Sequence, residues 1–197
     1  MNEIQKLIID QSIKSVRILD AKRIAVNTLI YALLALALIY FVTQTIDLFS
    51  GILILVFALL YSFIKDYTMF AQTKKIIQSH WNYIKTKKPR ADLYTPMLEK
   101  SGRGMLLKRA ALFFENDKMF LEAFRQQAFS TVPKESLTIP FGRDFIITDT
   151  YPVPNRNLII YIGTLMNSPY QFYVVNQTDV VNRIQTAIDN QLKKEVS

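Results

Sequence analysis

Few side chains in this chain could carry out chemistry. It has one histidine, His80, and no cysteine among 197 residues. A serine–histidine–carboxylate triad or a histidine-ligated metal would have to use His80, and no nucleophile elbow accompanies it. Without cysteine there is no disulfide framework, thiol nucleophile or thiolate metal site. We therefore expect no catalytic residue, no metal, no cofactor and no enzymatic activity.

A second group of polar residues could hold a cation. Asp144 and Asp149 flank a predicted strand, and Thr148 precedes the second of them. Carboxylate and hydroxyl oxygens are ligands for hard cations. Acidic residues at strand ends are, however, mostly solvated surface, and the pattern favours that interpretation.

The elements that must position these residues begin with one long apolar stretch, residues 25–64. Its only formal charge, Asp47, lies near its middle. A bilayer core requires about 20 apolar residues in a helix. Residues 25–42, and a second segment from Ile46 or Leu48 to Ile64, each meet this length. We predict two transmembrane helices joined by a short turn.

Two alternatives to a transmembrane hairpin fit the sequence less well. A helical hairpin buried in a soluble protein would keep a polar face, and these segments have almost none. A signal peptide would have a shorter charged lead and a small-residue cleavage site, and no second apolar span would follow at once. The apolar stretch therefore favours a membrane anchor.

Basic residues flank the predicted spans and are absent from the turn. Five lysines and arginines precede residue 25, and seven more lie in residues 65–90. Because cytoplasmic flanks carry the excess of these residues, we expect both termini in the cytoplasm and the turn outside. This predicts a multi-pass protein of the cytoplasmic cell membrane.

The net charge of +8 is concentrated beside the hairpin. Residues 65–90 carry seven basic and one acidic side chain, whereas residues 91–197 carry twelve basic and eleven acidic. Such a distribution favours anionic lipid over nucleic acid as a partner. Ordinary positive-inside topology also explains the basic run. The candidates for a lipid-headgroup contact are Lys85, Lys87, Lys88 and Arg90.

The segments on either side of the hairpin show helical patterns. Residues 1–24 place isoleucines at helical spacing, which predicts an amphipathic helix. This helix either lies on the inner membrane surface or packs on the protein's own domain. Residues 65–103 are interpreted as a connector that is helical up to Pro89 and irregular afterwards.

From residue 104 the apolar period changes to that of β-strands. A turn at Glu115-Asn116-Asp117 separates MLLKRAALFF from KMFLEAFRQQAF, and further strand-like segments read SLTIPF, RDFIITD, NLIIYIG and YQFYVV. An amphipathic helix, capped by Thr178 or Asn176, closes the chain. Residues 104–197 are therefore predicted to form one small antiparallel β domain with a C-terminal helix.

This order of elements resembles a pleckstrin-homology-like domain. SLTIPFGRDFIITD is similar to a strand pair of bacterial membrane-associated versions, and NLIIYIG, YQFYVV and TDVVNRIQTAIDNQ resemble their last two strands and closing helix. Two transmembrane helices ahead of such a domain are the layout of the YcxB-like bacterial proteins. The resemblance covers roughly residues 104–194 and the hairpin. It implies a helix-capped barrel or half-barrel with a binding or scaffolding role and no catalytic residues.

These observations predict an α+β membrane protein in which a two-helix hairpin anchors a small antiparallel domain at the cytoplasmic membrane face. The expected function is a non-enzymatic scaffold that binds lipid, a protein partner or a second copy of the chain. The alternative is an accessory subunit of a membrane transporter or envelope-building complex. Small residues that allow close helix approach favour this alternative; they are Ala32, Ala35, Gly51 and Ala58.

Overall fold

The structure, a computed structural model, describes residues 3–16, 21–45, 47–101, 104–126 and 131–196. The helices are α1 (Glu3–Val16), α2 (Ala21–Thr43), α3 (Leu48–Lys87) and α4 (Thr178–Val196). The strands are β1 (Leu93–Ser101), β2 (Gly104–Glu115), β3 (Lys118–Gln126), β4 (Pro133–Pro140), β5 (Phe145–Pro152), β6 (Leu158–Leu165) and β7 (Ser168–Val175). The chain divides into two compact units, which are Arg17–Gln72 and the combination of Met1–Val16 with Thr73–Ser197.

The smaller unit contains the two apolar helices that the sequence predicts. Both have the length and apolar composition that a membrane span needs. Asp47, the single charge between them, is the N-cap of α3, because its two carboxylate oxygens accept hydrogen bonds from the Ser50 amide (2.8 Å) and the Ser50 hydroxyl (2.9 Å). The charge therefore begins a helix and needs no catalytic explanation.

The large side chains of these two helices point away from the protein interior. Leu38 is 69% exposed, Phe41 87% and Phe57 62%. Soluble proteins rarely expose apolar surface of this extent. A buried hairpin within a soluble core, the alternative weighed from the sequence, is therefore not what the fold provides.

The larger unit is built on one curled antiparallel sheet of seven strands in the order β4-β3-β2-β1-β7-β6-β5. Strands β1 to β4 pair successively as hairpins, and so do β5 to β7. Strands β4 and β5 lie at opposite edges of the sheet, and β7 returns to lie beside β1. The β2–β3 turn has positive φ angles at Asn116 (49°) and Asp117 (62°), which suits a tight two-residue hairpin. The predicted α+β class is confirmed.

Helix α4 covers the core side of the sheet. Val180 and Ile184 are fully buried in the main apolar cluster, and Ala187 is nearly so. Its N-cap is Gln177, whose side-chain oxygen accepts a hydrogen bond from the Val180 amide at 3.1 Å. The predicted caps, Thr178 and Asn176, were wrong by one residue in each direction.

Helix α1 and the last part of α3 also pack on the sheet. The ring of Trp81 on α3 lies 5.7 Å from that of Tyr94 on β1. Helix α1 packs against β1, β2 and β7, and its Ile9 and Ile13 are buried. The N-terminal amphipathic helix therefore packs on the protein's own domain, which is one of the two alternatives that the sequence left open.

One predicted connector is a strand. Residues 93–101 form β1, whereas the sequence interpretation had them irregular. A proline within a segment argues against a regular strand. Pro96, however, lies at a register shift between Pro96 and Leu98, where its missing N–H disrupts no regular ladder. Two smaller boundaries also differ. Asn167-Ser168-Pro169 reads as a turn in the sequence, whereas the β6–β7 turn of the structure is Met166–Asn167. Residues 1–24 are predicted as one helix, and their described part holds α1 and the start of α2.

Candidate functional site

The predicted basic run lies at the C-terminal end of α3 and in the turn that follows. The Lys85 side chain binds backbone carbonyl groups in the turn after α3. Its Nζ donates to the carbonyl oxygens of Ala91 (2.7 Å) and Pro89 (3.2 Å) and lies 5.5 Å from the Trp81 ring centroid. The Lys85 ammonium thus stabilises the helix end, where cations are favoured. A headgroup contact remains a prediction for the rest of the run.

Lys87, Lys88 and Arg90 have no ion-pair partner among the described residues. Lys87 and Arg90 are exposed, and Lys88 is half-buried. The nearby acids are already paired, because the Arg183 guanidinium binds Asp92 at 2.6 Å and Asp117 at 2.8 Å. Three positive charges on this surface are therefore uncompensated and available to an anion.

The small residues predicted for helix packing differ in burial. Ala32 (3% exposed) and Ala58 (7%) are buried, and Ala35 and Gly51 are half-buried. Tyr31, next to Ala32, contacts Tyr61, with ring centroids 5.2 Å apart in an edge-to-face arrangement. Since Tyr61 lies one helical turn from Ala58, these faces of α2 and α3 meet each other. Both alanines therefore serve the hairpin's own contact.

A polar contact between the same two helices was missed in the sequence. The Lys65 ammonium donates a hydrogen bond to the Tyr31 hydroxyl at 2.7 Å and lies 5.3 Å from the Tyr31 ring centroid. The turn at residues 44–47 gave the signal, because residues at equal distances from it face each other in an antiparallel hairpin. Tyr31 then falls opposite Tyr61, one turn of α3 before Lys65.

His80 is buried against the sheet instead of facing a cleft. It is 1% exposed, and its imidazole stacks on Phe124 with ring centroids 4.0 Å apart. Desolvation lowers the pKa of His80 from 6.5 to about 4. A neutral, stacked imidazole of this kind serves packing.

A buried carboxyl group that the sequence analysis missed lies beside this helix. Glu122 on β3 is 1% exposed and accepts hydrogen bonds from the hydroxyls of Ser136 and of Thr138, the latter at 2.6 Å. The Tyr83 hydroxyl lies 3.3 Å from the Ser136 oxygen. These groups join α3 to β3 and β4. The sequence did contain a signal for the burial of Glu122. Apolar residues occur on both faces of β3, which indicates a strand that is covered on both sides.

The candidate cation ligands are not assembled into a site. The Thr148 hydroxyl donates to Asp149 at 3.0 Å, and both residues are exposed. The described part of the chain contains no group of three or more histidine, aspartate or glutamate side chains arranged to hold a metal ion. Asp144 and Asp149 have the solvated positions that the sequence favoured.

Comparisons with known proteins place this chain in no family. No protein-family model, curated protein or solved structure matches it.

Proposed function

We propose that this protein is a non-enzymatic membrane-anchored scaffold, in which α2 and α3 hold a pleckstrin-homology-like domain at the cytoplasmic membrane face. The observation that carries the proposal is the exposed apolar surface of α2 and of α3 up to Ile64. A surface of this kind requires lipid or another protein to cover it. The basic residues on both sides of the hairpin favour a cytoplasmic location for the rest of the chain.

Two features of the larger unit support a binding role. Its seven antiparallel strands followed by one helix agree with the order that the pleckstrin-homology-like resemblance implies. Lys87, Lys88 and Arg90 offer three uncompensated charges to an anionic partner. Membrane anchoring raises the effective concentration of such a partner, so even weak contacts can suffice.

Fewer residues support the accessory-subunit alternative than the four small residues that the sequence offers. Ala32 and Ala58 are buried in the contact between α2 and α3. These alanines therefore do not favour a second membrane protein over the hairpin's own pairing. The exposed apolar faces of both helices are the remaining support for that alternative.

The cysteine-free chain allows a direct test of membrane topology. One cysteine is introduced at the turn (Thr45→Cys) and another, in a separate variant, on exposed β4 (Lys134→Cys). A membrane-impermeant maleimide added to intact cells should label only the turn variant, and the β4 variant should react after permeabilisation. Labelling in the reverse pattern, or loss of the chain from carbonate-washed membranes, would contradict the proposal.

A gentle-detergent purification of the full chain separates the two functions. A monomer or homodimer without a companion supports the scaffold. A membrane protein that co-purifies in stoichiometric amount supports the accessory-subunit alternative. Mass spectrometry identifies such a companion, and sizing detects its added mass.

A further inference from the structure

Two hydrogen-bond donors converge on the exposed surface of the hairpin. The Lys65 ammonium lies 2.7 Å from the Tyr31 oxygen. The ammonium uses one of its three N–H groups in this bond, and the Tyr31 hydroxyl keeps its own proton to donate. Three donor hydrogens are thus presented together, two on the positively charged ammonium and one on the hydroxyl.

The ammonium also lies against an aromatic ring. It lies 5.3 Å from the centroid of Tyr31, whose ring packs edge-to-face on Tyr61. A lysine that only anchors a helix at a membrane interface extends freely towards water. Lys65 is instead fixed against α2, and a fixed donor costs less conformational entropy when it binds an anion.

The position of Lys65 along α3 suits a lipid headgroup. Lys65 directly follows Ile64, the last residue of the apolar run, and lies about 27 Å of helix beyond Asp47. The hydrocarbon layer of a bilayer is about 30 Å thick. Helical side chains lean towards the N-terminus of their helix, so the ammonium lies at the inner edge of this layer.

We propose that Lys65 and Tyr31 bind the phosphate of an anionic phospholipid in the inner leaflet. The proposal rests on the membrane insertion proposed above. In an anionic headgroup that carries no cation, the phosphate can pair with Lys65. In a choline headgroup, the positively charged choline competes with Lys65 for the phosphate. The basic excess of residues 65–90 further favours an anionic lipid at this point.

The test uses the full chain, purified in gentle detergent and washed free of lipid. Phosphatidylglycerol or phosphatidylcholine is added, and bound lipid is counted by native mass spectrometry. Because charge-assisted hydrogen bonds dominate the site, we expect phosphatidylglycerol to bind about tenfold more tightly than phosphatidylcholine. Lys65→Gln should abolish this preference, Tyr31→Phe should reduce it about threefold, and Lys65→Arg should retain it.

Matched variants control for charge and for ring chemistry. Lys75→Gln removes another exposed lysine of α3, and Tyr40→Phe removes another exposed hydroxyl of α2. Both should bind phosphatidylglycerol as the unmodified chain does. Inorganic phosphate at equal concentration should leave phosphatidylglycerol binding unchanged, and competition by phosphate alone would overturn the assignment to a lipid.

The outcomes separate this site from the proposed function. Equal retention of the two lipids by a chain that resists carbonate extraction would overturn the lipid site and leave the membrane anchor intact. A chain that leaves the membrane in carbonate would overturn the anchor itself. Unchanged lipid preference in Lys65→Gln would also overturn the site, whatever the unmodified chain binds.

Discussion

The backbone of β5 leaves no space beside residue 163. A Cβ atom added to Gly163 would lie 1.9 Å from the carbonyl oxygen of Ile146, on the neighbouring strand. This close approach occurs where the register of β5 shifts between Ile147 and Asp149. The glycine therefore permits the shift, and any side chain there has to displace backbone.

Gly163→Ala should destabilise the sheet unit by about 3 kcal/mol, because overpacking against backbone cannot be relieved by a rotamer change. Thermal unfolding of the purified chain measures the effect. Gly51→Ala is the matched control, since no heavy atom lies within 4 Å of the added carbon. Equal stability of Gly163→Ala and the unmodified chain would show that β5 is not held this close to β6.

His80 gives the stability of the protein a pH dependence. Its folded pKa of about 4 lies below the unfolded value of 6.5, so the unfolded chain binds the proton more readily. Stability contributed by neutral His80 is therefore full above pH 6.5 and is lost as the pH falls towards 4. Between pH 7 and pH 5 this group alone should cost about 2 kcal/mol.

His80→Phe keeps a ring for stacking on Phe124 and removes the titrating group. Unfolding by denaturant should then show a shallower loss of stability between pH 7 and pH 5 than in the unmodified chain. Identical slopes in the two proteins would mean that His80 is protonated as easily in the folded state as in the unfolded one.

Helix α1 is joined to the sheet by the Gln5 side chain, which forms the pair of backbone hydrogen bonds that a neighbouring strand would form. The Gln5 amide donates to the Tyr94 carbonyl and accepts from the Tyr94 N–H, both at 2.9 Å. Among the residues that the structure describes, β1 pairs with β7 at Leu98–Tyr173, and Tyr94 has no strand partner on that side. Gln5 supplies the two backbone hydrogen bonds that β7 does not.

Gln5→Leu should cost about 3 kcal/mol, because two buried backbone groups of Tyr94 lose their partners. Amide hydrogen exchange at Tyr94 should become faster, which locates the effect on β1. Lys6→Ala, an exposed substitution in the same helix, should leave this exchange unchanged. Slow exchange at Tyr94 in the Gln5→Leu variant would show that α1 does not protect this edge.

Helix α4 is tied to the start of β1 and to the β2–β3 turn by Arg183. Arg183→Gln removes ion pairs to Asp92 and Asp117 and should lower stability by about 1 kcal/mol at low salt, since both acids are partly exposed. High salt should reduce the difference from the unmodified chain. Arg143→Gln, an exposed arginine without a described ion pair, is the control. A deficit independent of salt would assign the loss to packing.

The elements that could be predicted are those whose pattern is local. The apolar run of residues 25–64 and the alternating strands from residue 104 have periods that one segment displays by itself. Strand β1 was missed because Pro96 reads as a break until the register shift beside it is known. The hydrogen-bond partners of Glu122 and the Tyr31–Lys65 contact join residues that are far apart in the sequence, so a local pattern does not identify them.

At the scale of the whole molecule, the apolar unit is an insertion in the sheet unit. The sheet unit combines Met1–Val16 with Thr73–Ser197, and Arg17–Gln72 lies between them in the chain. A fragment that starts after the hairpin therefore lacks α1. It exposes the buried surface that Ile9 and Ile13 cover, together with the Tyr94 backbone.

A soluble form of the sheet unit should consequently be obtained by excision of the hairpin. Residues 1–16, joined to residues 73–197 by a flexible glycine–serine linker, should give a monomer with one cooperative unfolding transition. Residues 66–197 alone should aggregate or unfold at lower temperature, as judged by sizing and scanning calorimetry. Equal stability of the two fragments would mean that α1 adds nothing to the fold.

The docking of α1 also sets an order of events during synthesis. Gln5 and Tyr94 are 89 residues apart, so at about 5–20 residues per second the ribosome adds Tyr94 roughly 4–18 s after Gln5. During this interval Ile8, Ile9 and Ile13 have no sheet to cover them, while the apolar hairpin is being made. The apolar face of a nascent α1 therefore stays uncovered until the sheet has been synthesised.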